Sequence, residues 1–128
     1  MKKIAITVWQ DRISPVFDSS QWLQVFDASG ESVDSRLEHI GDQSPLARVE
    51  RLKDLDVDIL ICGAITRSLH MALVSSGMDV YPFVCGDVNT VLHDLLQNRK
   101  IDSRFAMPGY GRQMRKRNRR GLRDRRVQ

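Results

Sequence analysis

Only two cysteines, Cys62 and Cys85, occur in 128 residues. That count excludes a disulfide framework, and a chain of this length builds one core without metal or disulfide staples. No apolar run approaches the roughly 20 residues needed to span a bilayer. The opening MKKIAITVWQ has too short an apolar stretch for a secretory signal, since Gln10 and Asp11 follow at once. The expectation is a soluble, cytoplasmic chain with reduced thiols. No HExxH, GxSxG or phosphate-loop pattern occurs, and no CxxC pair. The first strand offers Ile4, Ile6 and Val8 where two-metal nuclease chemistry would want an acid. These absences argue against hydrolytic enzymes, and we expect no catalysis.

Charge is present but unevenly placed. Residues 112–128 hold nine basic side chains and one acid, a net of +8, leaving a net of −4 over residues 1–111. We therefore divide the chain into one domain, 1–111, and a basic tail, 112–128, expected to stay unfolded alone. Arg112 through Arg126 can bind phosphates, although no aromatic side chain stands among them to stack on bases. A nucleic-acid or other anionic partner is one reading of this tail, and a solubilising segment that touches the acidic body is the other.

Hydrophobic patterning in the body alternates between strand and helix periods. KKIAITVW predicts a strand over 3–9, QWLQVFDA a second over 21–27, and SVDSRLEHI a third, more polar edge strand over 32–40. Pro45 suits the first turn of a helix carrying Leu46, Val49, Leu52 and Leu55. VDILIC reads as a strand buried on both faces. Thr66 can cap the next helix, which Gly77 ends, and Asp87 can cap the last. DVYPFVC lies between them as an edge strand, because Pro82 cannot donate to a ladder. The order β-β-β-α-β-α-β-α predicts an α/β fold, a ribonuclease H-like mixed five-stranded sheet with helices packed on it.

Cys62 and Cys85 each end an apolar run and each precedes a glycine. Parallel strands deliver functional loops at their carboxyl ends. The two Cys-Gly turns are then expected on one rim, joined by the loop from Arg12 through Ser14 to Asp18. Helix starts at Thr66 and Asp87 favour anions there. Thiols, Gly63, Gly86 and helix starts on one rim suit an anionic, sulfur-rich ligand. A cysteine also packs well as a small buried hydrophobe, and both readings stay open. His39, at the end of the third strand, is a further candidate metal ligand. His70 and His93 lie within helices and read as packing or surface residues.

Several segments together are similar to the dinitrogenase iron–molybdenum cofactor biosynthesis family, the small NifX-like proteins and the carboxy-terminal domain of NifB-like proteins. They are IAITVWQDRISPVFDSS, VDILICGAITRSL, GMDVYPFVCGDVNTVLHDLLQNRKID and FAMPG, across most of residues 3–109. The resemblance implies a ribonuclease H-like fold and a non-enzymatic carrier of iron–sulfur or iron–molybdenum cluster precursors, with metallocluster donor or acceptor proteins as partners. With the rim read above, the expected metal ligands are Cys62, Cys85 and His39, with Arg12, Ser14, Asp18, Gly63, Thr66, Gly86 and Asp87 lining the site. Relatives often carry further cysteines after Met-Pro-Gly, but here Met107-Pro108-Gly109 is followed by Tyr110 and Gly111. Two thiols fall short of a closed four-ligand site. A degenerate member acting as an interaction scaffold, and a homodimer formed through the exposed third strand, are the remaining expectations.

Overall fold

The structure is a computed structural model that describes residues 3–28, 33–41 and 44–118. Six strands form one mixed sheet: β1 (Lys3–Trp9), β2 (Arg12–Ile13), β3 (Trp22–Asp27), β4 (Asp34–His39), β5 (Ile59–Ile61) and β6 (Asp79–Tyr81). The helices are α1 (Pro45–Asp54), α2 (Arg67–Ser75), α3 (Val88–Asn98) and a further helix, α4, over 111–118.

The sheet order is β4-β3-β1-β5-β6, with β2 paired to β1 off that path. β1, β5 and β6 run parallel, while β2, β3 and β4 pair antiparallel. The polar third strand and the strand before Pro82 occupy the two edges, as their sequences predict. The sheet has six strands rather than five. The extra one, β2, arises because Gln10 and Asp11 both take left-handed φ, 50° and 63°. Two such residues make the tight turn of a two-residue hairpin. Gln-Asp is not the usual Asn-Gly signal for that turn, so this stretch reads as loop from sequence.

Alternation along β1 assigns its two faces. Ile4, Ile6 and Val8 join Val88, Val91 and Leu95 of α3 and Met114 of α4 in one core. Ala5 joins Leu52 of α1 and Leu69 and Leu73 of α2 in the other. Ser44 caps α1 by accepting from the Ala47 N–H at 3.2 Å, with Pro45 in the first turn. Gly77, at φ 94°, follows the end of α2.

α4 carries the first part of the stretch expected to stay unfolded. Met114 is buried, Asn118 donates to the Ile101 carbonyl at 3.0 Å, and Arg117 pairs with Asp79. The Arg117 guanidinium also lies 3.8 Å from the centre of the Tyr81 ring, a cation–π contact. Residues 119–128, the rest of that basic stretch, lie outside the described residues.

Candidate functional site: one rim and one available thiol

The loop after β1 is tied to both neighbouring turns. Its first part meets the second Cys-Gly turn: Ile13 N donates to Gly86 O at 2.9 Å, and Val88 N donates to Asp11 O at 3.0 Å. Arg12 faces Asp87 in an antiparallel bridge. Its second part meets the first Cys-Gly turn. Ala64 N donates to Pro15 O at 2.8 Å, and Phe17 N donates to Ala64 O at 2.7 Å. The Thr66 N–H donates to Asp18 Oδ1 at 3.1 Å. Arg12, Ser14, Asp18, Gly63, Thr66, Gly86 and Asp87 therefore all fall on one loop cluster at the carboxyl end of the parallel strands.

Their roles differ from expectation in three places. Thr66 occupies the cap position of α2, but its own side chain makes no capping bond, and Asp18 supplies the acceptor. At α3, Asp87 accepts from the Thr90 N–H at 2.9 Å and its hydroxyl at 3.0 Å. Those bonds, with Arg12 adding, hold the Asp87 carboxyl below its ordinary pKa. Both helix starts thus already carry a carboxylate, which opposes an anion at the same N–H groups. Finally, Gly63 leaves room for protein rather than ligand. A Cβ there would stand 2.3 Å from Pro15 O and 2.5 Å from Ser14 O. Gly86 is needed for its backbone instead, at φ 126°.

The two thiols also part company. Cys62 directly follows β5, is 0% exposed, and sits in the core beneath α1 and α2. Burial, with the nearby Asp18 carboxylate, pushes its thiol well above the ordinary range. It is a neutral buried thiol, not a ready metal ligand. Cys85 does not end a strand: β6 stops at Tyr81, before Pro82, and the chain then turns through Phe83 at φ 59°. Phe83 stacks on Tyr110 at 3.9 Å between ring centres. Beyond it Cys85 N donates to Phe105 O at 2.7 Å, and the thiol of this half-buried residue donates to Ala106 O at 3.6 Å.

His39 ends β4, exposed, with its ring set edge-on to Trp22 at 4.8 Å. Between β4 and β6 lie β3, β1 and β5. Among the described residues no three His, Cys, Asp or Glu side chains gather in a way that could hold a metal ion. Cys62, Cys85 and His39 are therefore not one ligand set.

Arg48 escaped the sequence reading. It lies on α1, is buried, and donates to Ser20 O at 2.8 Å while its guanidinium faces the Phe17 ring. It holds the far end of the loop that carries Asp18. The only sequence signal was position: Arg48 shares a helical face with Leu52, four residues on.

The fold and the rim define a class: a small α/β domain with a clamped loop cluster and one available thiol at the carboxyl end of its parallel strands. The chain belongs to the dinitrogenase iron-molybdenum cofactor family, whose model matches residues 1–98. Among solved structures it is similar to PH0822, at 23% identity over 78% of this chain and 94% of that one, with a TM-score of 0.70. A NifB-like protein from Thermotoga matches at 24% identity over 77% and 90%, with a TM-score of 0.59. The apo form of the orange protein from Desulfovibrio gigas matches at 19% over 77% and 90%, with a TM-score of 0.62. At these identities the likenesses establish the shared fold. No curated protein matches the chain. Among the described residues no helix is long and apolar enough to cross a membrane.

Proposed function

We propose that the protein carries a preformed iron–sulfur or iron–molybdenum cluster precursor as cargo between metallocluster assembly proteins, without catalysing a reaction on it. Family membership supports the cargo class. The observation that carries the assignment is Cys85, a half-buried residue in contrast to the fully buried Cys62, on the loop cluster where the Arg12–Asp18 loop meets Gly86. A cluster brings its own sulfides, so one soft protein ligand can anchor it where a bare metal ion would need several.

In this reading the residues divide by task. Cys85 supplies the thiolate, which a reducing cytoplasm keeps available. Exposed Arg12 and the Gly86 backbone meet the cargo's negative charge. Ser14, Asp18, Gly63 and Thr66 clamp the loop, and Asp87 orders α3 beneath it. Cys62 and His39 take no part. The remaining ligand positions stay open to the donor or acceptor protein, which suits a carrier. The sheet order also supports a ribonuclease H-like ancestry put to binding.

Anaerobic loading tests the proposal. Protein incubated with iron, molybdate and sulfide and then desalted should retain iron and sulfide together. Cys85→Ser should retain neither, at unchanged folding by circular dichroism. Equal retention by both proteins would refute Cys85 as the anchor.

A further inference from the structure

β4 is an edge strand of six residues, Asp34–His39. The opposite edge, β6, has three residues, stops before Pro82, and is tied to α4 through Asp79 and Arg117. An open edge of β4's length is a template for pairing with another chain. The Ile40 N–H donates to Gln21 O at 2.8 Å, so Ile40 points its backbone groups towards β3. By alternation Glu38, Arg36 and Asp34 do the same, while Ser35, Leu37 and His39 turn their N–H and C=O groups to the open edge.

Side chains follow the same alternation. On one face Leu37 is 57% exposed and Val33 45%, beside Trp22 at 37%. Ser35, His39 and Gln24 complete this face, which carries no Asp, Glu, Lys or Arg at these positions. On the other face stand Arg36 and Glu38, 3.1 Å apart, with Arg51 bonded to Glu38 at 2.9 Å.

We propose that β4 is the pairing edge of a homodimer, antiparallel to the partner's β4, with the two-fold axis at Leu37. A two-fold normal to the sheet admits only registers that keep each side chain on its own face. Centred on Arg36, the pairing would set Arg36 against the partner's Arg36 and Asp34 against the partner's Glu38. Centred on Leu37, it sets Arg36 against the partner's Glu38 and Glu38 against the partner's Arg36. Leu37 then meets the partner's Leu37, and Ser35 meets the partner's His39. All of these last residues direct their edge-facing backbone groups at one another, so the ladder is completed as the charges pair. The occupant of this edge is therefore a second copy of the chain: the strand complements itself in charge, in apolar contact and in hydrogen bonding. Because the pairing is antiparallel, the two Cys85 rims face opposite ends of the joined sheet, and neither completes the other.

Sedimentation of the full chain tests this without any cluster. Wild type should show a concentration-dependent dimer. Arg36→Glu and Glu38→Arg should each weaken it about tenfold or more, since each turns attractive cross-strand pairs into repulsive ones. Mixing these two variants should restore the dimer, because the mixed pair sets Glu against Arg at both positions. Leu37→Lys, at a position 57% exposed within the chain, guards against a folding defect and should also be monomeric. A wild type that stays monomeric at hundreds of micromolar, or a mixture no more dimeric than its parts, would overturn the proposal.

Discussion

Replacing Gly63 with alanine places a methyl carbon 2.3 Å from Pro15 O and 2.5 Å from Ser14 O. Both obstacles are backbone, so the loop must move rather than a side chain. Overpacking of this kind costs about 1–3 kcal/mol. Moving the loop also strains the 2.8 Å bond from Ala64 N to Pro15 O and the 2.7 Å bond from Phe17 N to Ala64 O. Each is worth about 1 kcal/mol. A loss of about 3 kcal/mol follows, or a fall in Tm of roughly 12 °C for a domain of this size. Gly77→Ala is the control. Its φ is 94° with nothing within 4 Å of a new Cβ, so only the backbone penalty applies. That penalty is about 1 kcal/mol, or roughly 4 °C. Differential scanning calorimetry of both variants decides the matter. If Gly63→Ala melts no lower than Gly77→Ala, the loop is not clamped onto Gly63 and the geometry of the rim is wrong.

Further outcomes follow from the same contacts. In native protein an aromatic disulfide reagent should titrate one fast thiol, Cys85, and a second, Cys62, only after denaturant is added. Because burial raises the Cys62 pKa in the folded state, its neutral form contributes full stability below the unfolded thiol value of about 8.5. Above that pH the unfolded chain releases a proton the folded one keeps, so stability falls by about 1.4 kcal/mol per pH unit. Urea melts of wild type and Cys62→Ala across pH 8 to 10 should show this slope in wild type only. Asp18→Ala removes the acceptor at the start of α2 and should cost about 1 kcal/mol by the same melts. Arg48→Met removes the donor to Ser20 O and should cost about 2 kcal/mol, leaving a buried carbonyl with one bond fewer.

Much of the architecture was legible because local signals agreed with burial. Pro45 and Asp87 marked helix starts that the structure keeps, and Pro82 marked an edge strand. The convergence of the Arg12–Asp18 loop with both Cys-Gly turns followed from parallel strand direction. What failed depended on tertiary contact. No residue pattern revealed that Asp18 caps α2 across 48 residues, or that Arg48 is buried against Phe17. The repeated Cys-Gly was misleading in its symmetry. Gly63 is required by an approaching backbone and Gly86 by its φ, while one cysteine belongs to the core and the other to the rim. Sequence spacing carries no information on which face of a loop a thiol turns to. In the basic stretch, charge density masked Met114, whose burial fixes α4.

The most direct test is the visible spectrum of Cys62→Ala and Cys85→Ala, each loaded anaerobically and desalted beside wild type. A carrier anchored by Cys85 predicts that Cys62→Ala keeps the sulfur-to-metal charge-transfer bands of wild type and that Cys85→Ala loses them. Bands that vanish with Cys62 and persist without Cys85 would contradict the account.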